Sequence, residues 1–319
     1  RKKQKKIPNR PNRPNRPNHP HRPIPVLNPP LNDTMNSFTL EWHSHRLELG
    51  PKTRIMGVLN VTPDSFSDGD EFFSTQKAIA HGQRLIDDGA DILDVGGEST
   101  RPYAESVSEN EEIRRVVPVI EALAKQVSVP ISIDTTKSVV AQAALSAGAA
   151  MINDVSAFRL DPDLADVAAE AGVPVILMHM KGDPRTMQVS PVYDNLLGEI
   201  ATFLKDRVAF AEEKGVDRSD IIIDPGIGFG KTDTHNFQII KGLSAFAELK
   251  LPILVGSSRK ASIRKTVGGP DISPQAKAVE TRSQAAVSAA ALYGAHIVRV
   301  HNVAETRTTL KIIDAIRNA

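Results

Sequence analysis

The stretch Pro130-Ile-Ser-Ile-Asp-Thr-Thr-Lys-Ser-Val-Val-Ala-Gln-Ala-Ala-Leu-Ser-Ala-Gly-Ala-Ala-Met-Ile-Asn-Asp154 decides the fold. A short apolar run ends on Asp134, an amphipathic stretch runs to Ala147, and a second apolar run ends on Asn153-Asp154. That is a buried strand, a helix that carries the chain back, and the next strand beside the first. The unit recurs. Its apolar runs finish at Asn60, Asp94, Asp134, Asn153, His179, Asp224, Gly256-Ser257-Ser258 and Arg299-Val300-His301. Eight such units predict a (β/α)8 TIM barrel, with the active site at the C-terminal ends of the strands. Some strand-end polar residues serve only to cap the next helix, but that does not account for all eight.

Working outward, the strands are placed at 55–60, 92–95, 131–134, 151–154, 175–179, 221–224, 253–256 and 296–300. Helices are expected near 74–88, 110–126, 162–171, 193–214 and 235–249, and from 305 to the end. A further helix is interrupted near Gly268-Gly269-Pro270. Upstream, Phe38–Trp42 and Arg46–Leu49 alternate in polarity around a His/Ser turn and predict a β-hairpin over the N-terminal mouth of the barrel. Three strand–helix connections are long, at 61–73, 96–109 and 180–192, where a barrel places its substrate-contacting loops. Residues 35–319 read as one barrel domain without a second.

The formal net charge of +1 hides an asymmetry. Residues 1–34 carry nine Lys/Arg against Asp33 alone, and nine of the 22 prolines, in an Asn-Arg-Pro repeat. Such a segment cannot bury a core and is expected to be a disordered leader. It lacks the apolar stretch of a signal peptide, and no run in the chain is apolar enough to span a membrane. Cysteine is absent, which excludes disulfides and thiolate metal sites and fits a cytoplasmic setting. No nucleic-acid or membrane partner is expected.

Asp224-Pro-Gly-Ile-Gly-Phe-Gly-Lys231 follows a strand but matches neither a Walker A loop nor the dinucleotide GxGxxG spacing. Its glycines read instead as a tight turn beside a ligand. Asp134, Asn153 and Asp224 end three strands and converge over the barrel mouth. Two carboxylates and an amide suit a heterocycle with a guanidine-like edge, since each carboxylate can accept a pair of N–H donors. Metal binding by the same three is the rival reading. Lys260, Arg299, His301 and Asn60 form a second group, cationic in character, where barrels hold phosphate.

Several motifs are then recognisable. Met56-Gly-Val-Leu-Asn-Val-Thr-Pro-Asp-Ser-Phe-Ser-Asp-Gly69 and Gly96-Gly-Glu-Ser-Thr-Arg-Pro102 resemble dihydropteroate synthase of the bacterial folate pathway. So do Ile133-Asp134-Thr135, Ile152-Asn153-Asp154, Leu177-Met-His-Met180, Asp224 to Lys231, Ser258-Arg-Lys260 and Arg299-Val-His301. The resemblance runs in order over about 38–317. It implies a barrel that joins 6-hydroxymethyl-7,8-dihydropterin pyrophosphate to 4-aminobenzoate and releases pyrophosphate with Mg2+. It also implies that Asp134, Asn153, Met178, Asp224, Phe229 and Lys260 hold the pterin. Asn60 would meet the metal, and Asn60, Thr100, Arg299 and His301 the pyrophosphate. Phe66, Thr100, Arg101, Pro102 and Ser258 would form the aminobenzoate pocket. Asp134, Lys260, Arg299 and His301 would carry the chemistry, in a homodimer formed through the last helices.

Asp70 and Tyr103 stand where the family favours glycine, and Asn302 where it favours Asp. Two alternatives are a non-catalytic pterin-binding paralogue and a methyltetrahydrofolate-binding methyltransferase barrel. The second has no need of the Ser-Thr-Arg-Pro loop or of the Ser-Arg-Lys and Arg-Val-His residues. The division into a pterin half and an anion half predicts that Arg299→Ala spares binding of a pterin lacking pyrophosphate.

The leader carries a prediction of its own. A chain starting at Met35 should fold and turn over like the full chain. A melting temperature lower by about 2–4 °C or more, roughly 1 kcal/mol, would show that the leader docks on the barrel.

Overall fold

The computed structural model describes residues 36–62, 71–99, 106–182, 187, 191–260, 263, 273 and 277–319. The leader, Phe66, Asp70, Thr100, Arg101, Pro102, Tyr103 and the interruption at 268–270 lie outside the described residues.

A hairpin of β1 (Phe38–Trp42) and β2 (His45–Leu49) precedes the barrel. Then come β3 (Arg54–Asn60), α1 (Glu71–Asp87), β4 (Ile92–Gly96), α2 (Glu109–Ala124) and β5 (Ile131–Asp134). Next are α3 (Ser138–Ser146), β6 (Met151–Asp154), α4 (Asp163–Ala171), β7 (Val175–Met178), α5 (Leu196–Glu213) and β8 (Ile221–Asp224). The last are α6 (Asp233–Lys241), β9 (Leu254–Val255), α7 (Lys277–Leu292), β10 (Ile297–Val300) and α8 (Val303–Arg317). The eight parallel strands run β8-β7-β6-β5-β4-β3-β10-β9, and a bridge between Ile223 and Ile253 joins the two ends. The expected barrel is the observed one.

Three helices differ from expectation, and the one expected from 74 begins at Glu71. The helix expected from 193 begins at Leu196, because Asn195 caps it by accepting from the Gly198 amide at 3.2 Å. The helix expected over 235–249 is two pieces, α6 and a 3-10 turn at Leu243–Leu249, hinged at Gly242. A Cβ at Gly242 would stand 2.5 Å from Leu197 Cδ1, so the hinge is also where the chain presses on α5.

Strand register sets the site. Asn60 pairs with Gly96, Gly96 with Asp134, and Asp134 with Asn153, so four strand ends lie level on one rim. Met178 pairs with Asp224 further round. At the opposite end, the hairpin buries Leu40, Trp42, Leu47 and Leu49 in the same core as the strands. Trp42 Nε1 donates to the Ala150 carbonyl at 2.8 Å, just ahead of β6.

That bond generates a prediction. Trp42→Phe should cost about 1–3 kcal/mol, since it strands a buried carbonyl. Turnover of the folded protein should be unchanged, because the site is at the other mouth. Denaturant unfolding followed by circular dichroism measures the first, and steady-state kinetics the second.

Candidate active site

Arg299 lies on β10 beside Met56 of β3, flanked by the buried Val298 and Val300. Its Nε donates to Asp94 Oδ2 at 2.5 Å and its Nη2 to Asp134 Oδ2 at 2.6 Å. Asn153 Nδ2 donates to the same Asp94 oxygen at 3.1 Å. One guanidinium and one amide thus tie three neighbouring strands, β4, β5 and β6, to β10. The other oxygens, Asp94 Oδ1 and Asp134 Oδ1, are buried and have no hydrogen-bond partner among the described residues. Buried acceptors left unmet cost free energy, so this edge is built to receive donors.

Two carboxylates facing one guanidinium leave an excess of negative charge. Burial pushes the Asp134 carboxyl up to about 7, with Arg299 pulling it back and Asp94 pushing it further. Asp224 behaves alike. Burial lifts it to about 6 against the Gly226 amide, which donates to its Oδ1 at 2.7 Å, and against the Lys260 and Lys231 charges.

Beside the carboxylates lies a small apolar cluster apart from the main core: Val155, Met178, Met180, Met187 and Phe229. Lys260 Nζ stands 4.1 Å from the centroid of the Phe229 ring, a cation–π contact. Apolar faces beside buried acceptors suit a flat heterocycle with N–H donors along one edge. On the rim, Ser258 Oγ is 3.1 Å from His301 Nδ1, and the His301 amide donates to that oxygen at 3.4 Å. Asn60 is half-buried, level with Gly96.

The structure therefore brings Asp134, Asn153, Met178, Asp224, Phe229 and Lys260 to one mouth, with Asn60, Ser258, Arg299 and His301 at the same strand ends. It does not keep Arg299 in a separate anion corner. Arg299 reaches across to Asp94 and Asp134, so the two expected halves share one charged network. Asp134 faces the Arg299 guanidinium. Among the described residues, no group of three or more His, Cys, Asp or Glu side chains is placed to hold a metal ion. Asn302 accepts from the Glu305 amide at 3.2 Å and caps α8, a role Asp would also fill.

Sequence reasoning passed over Asp94 as a site residue. Its signal was a carboxylate inside the apolar run Ile92-Leu-Asp-Val-Gly96, fully buried here. It also passed over the cluster below the second long loop. Lys137 Nζ donates to Glu98 Oε2 at 2.5 Å, to Glu112 Oε2 at 2.6 Å and to the Val107 carbonyl at 2.7 Å. That ammonium joins Glu98 and Val107, residues on either side of the segment that carries Thr100 to Pro102 in sequence.

Comparison with known proteins shows the family. The pterin binding enzyme family matches residues 56–301. A dihydropteroate synthase of Escherichia coli (strain K12) is 43% identical over 265 residues, covering 83% of this chain and 92% of that protein. The structure of Xanthomonas albilineans dihydropteroate synthase with 4-aminobenzoic acid superposes with a TM-score of 0.81 at 45% identity, covering 89% of this chain and all of that one. The same enzyme in complex with 7,8-dihydropteroate gives 0.75 at 43% identity, covering 84% and 95%. Matched over the whole barrel in sequence and in fold, the chain belongs to the pterin-binding enzymes, among the dihydropteroate synthases.

Proposed function

We propose that this chain condenses 6-hydroxymethyl-7,8-dihydropterin pyrophosphate with 4-aminobenzoate, giving 7,8-dihydropteroate and pyrophosphate. The observation that carries the reading is the buried acceptor edge, where Asp94 Oδ1 and Asp134 Oδ1 await donors beside Asn153 and Asp224. A pterin supplies such donors at its 2-amino and ring N–H groups. Asp224 accepts from that edge, while Met178 and Phe229 cover the ring and Lys260 meets its carbonyl side.

The dihydropterin ring is electron-rich and can carry positive charge on its exocyclic methylene. The methylene C–O bond breaks, and its electron pair leaves with pyrophosphate. The amine nitrogen of 4-aminobenzoate then forms the new C–N bond and loses a proton. Asp134 in its ionised form stabilises the positive ring, and the Arg299 charge favours that form against burial. His301 and Arg299 meet the leaving oxygens. An arylamine is neutral near pH 7, so no strong base is needed to free its lone pair. Ser258 borders the aminobenzoate end, with Phe66, Thr100, Arg101 and Pro102 assigned there by resemblance.

Asn60 offers one amide oxygen and fits Mg2+, which takes most of its oxygens from water and substrate phosphate. When bound, the ion would neutralise charge on departing pyrophosphate. We also propose a homodimer through the last helices, supported by the exposed Tyr293, Ile312 and Ile316 on and beside α7 and α8. A cytoplasmic setting and a functionally minor leader complete the reading.

Two measurements test it. Pyrophosphate release should depend on both the dihydropterin pyrophosphate and 4-aminobenzoate. Release without the amine, or none with both, would remove the assignment. In calorimetry with a pterin lacking pyrophosphate, Asp224→Asn should weaken binding by about 2–4 kcal/mol, because an acceptor becomes a mixed donor and acceptor. Arg299→Ala should weaken it too, contrary to a site of two separate halves, since Asp94 and Asp134 would be left unanswered. Affinity of the unaltered protein should rise with pH through about 6 as Asp224 ionises, and Asp224→Asn should diminish that limb.

A further inference from the structure

We infer that Lys231 is a positioning residue for the pterin end of the site: from behind, its ammonium group sets the loop that carries Asp224 and Phe229. The inference rests on the proposal that the pterin lies against those two residues. Lys231 is 2% exposed, a depth at which lysine is rarely found unless its charge is answered. Here its donors are all met, by neutral acceptors. Its three donors meet His179 Nδ1 at 2.9 Å, the Phe229 carbonyl at 2.9 Å and the His179 carbonyl at 3.3 Å.

Those acceptors belong to two different segments. Phe229 is in the loop after β8, whereas His179 follows β7 and its amide donates to the Asp224 carbonyl at 2.9 Å. One ammonium therefore clamps the tip of the loop onto the end of the neighbouring strand. The fit leaves no slack. A Cβ at Gly226 would stand 1.9 Å from the His179 carbonyl oxygen, and one at Gly230 2.4 Å from that of Lys181. Both glycines take left-handed φ, +72° and +66°, as the backbone contact requires. Tyr193 adds a second tie from the same side, its hydroxyl donating to the Gly230 carbonyl at 2.8 Å.

The front of this loop is the pterin end. Gly226 donates to Asp224 Oδ1 and the Phe229 ring lies beside Lys260. The hydrogen bonds of Lys231 go to His179 and to the Phe229 backbone, so it acts on the site through the loop they fix. His179 is kept neutral, its pKa held down to about 2 by burial and by the Lys231 charge, and facing an ammonium that can only donate, its Nδ1 is the acceptor. Burial also draws Lys231 down to about 7, with Asp224 opposing and Lys260 reinforcing. The clamp is thus strongest while Asp224 is ionised.

The test uses the full chain with Lys231→Met, Tyr193→Phe and Asp224→Asn. Calorimetry with 6-hydroxymethylpterin reads the pterin end, and the KM for 4-aminobenzoate at saturating dihydropterin pyrophosphate reads the other. Lys231→Met should weaken pterin binding about tenfold or more, as expected when a charged donor is lost to buried acceptors. Tyr193→Phe should weaken it roughly threefold, and both variants should leave the aminobenzoate KM within about twofold. A residue that only stabilises the fold would lower the active fraction and leave both constants unchanged. That outcome, with Asp224→Asn still weakening the pterin, overturns the inference alone. Should Lys231→Met fail to fold, Tyr193→Phe decides on the same criterion. If Asp224→Asn is also without effect, the pterin lies elsewhere and the proposal beneath the inference falls first.

Discussion

A guanidinium shared between two buried carboxylates organises the mouth of this barrel. Arg299 reaches from β10 to Asp94 on β4 and Asp134 on β5, across the intervening β3. Burying either carboxylate alone would be costly, and removing the cation would leave two unanswered charges. The pairing also fixes rotamers. Asn153 can donate to Asp94 because Arg299 already holds that oxygen in place. The remaining carboxylate oxygens then point where no donor of the described residues meets them. Preorganised acceptors of this kind recognise a ligand without having to rearrange when it arrives.

A second charge answers the first from across the barrel. Asp224 is approached by Lys260 at the mouth and by Lys231 behind, with the Gly226 amide on its Oδ1. The glycines after Asp224 let the loop press against the backbone that follows β7, so Phe229 turns its ring toward Met178 and Lys260. Recognition of a flat ring needs both a polar edge and apolar faces. In the proposed reading the edge comes from strand ends and the faces from one tight turn and one methionine cluster.

This arrangement works against the stability of the chain. A carboxyl whose folded value is raised holds its proton more tightly when folded than when unfolded. Asp224 and Asp134 therefore oppose folding progressively as pH climbs from about 4 to about 6 and 7, and fully above that range. The barrel beneath can bear it. Its strands β5, β6 and β7 are buried along their length and the hairpin seals the far end with Leu40, Trp42, Leu47 and Leu49. Chemistry and sealing sit at opposite mouths, so each was free to take the side chains it needed.

The sequence by itself determined the barrel and most of the rim. Short apolar runs alternating with amphipathic stretches admit few other folds, and residues such as Asp134, Asn153 and Asp224 had to emerge together once each was seen to end a parallel strand. The motifs around Asn60, Lys260 and Arg299 then pointed to one chemistry. What the sequence left open was partnership. Asp94 reads only as the polar end of an apolar run, with no site role, and Arg299 as part of an anion corner. Only the closed sheet, with its register and the order in which β10 follows β3, put their side chains within hydrogen-bonding distance. Lys231 was likewise read as the end of a glycine loop, and its burial against His179 became visible only when the loop was folded onto the neighbouring strand. Periodicity along a chain reports which face a residue takes, but contacts between residues 205 positions apart are set by how the barrel closes.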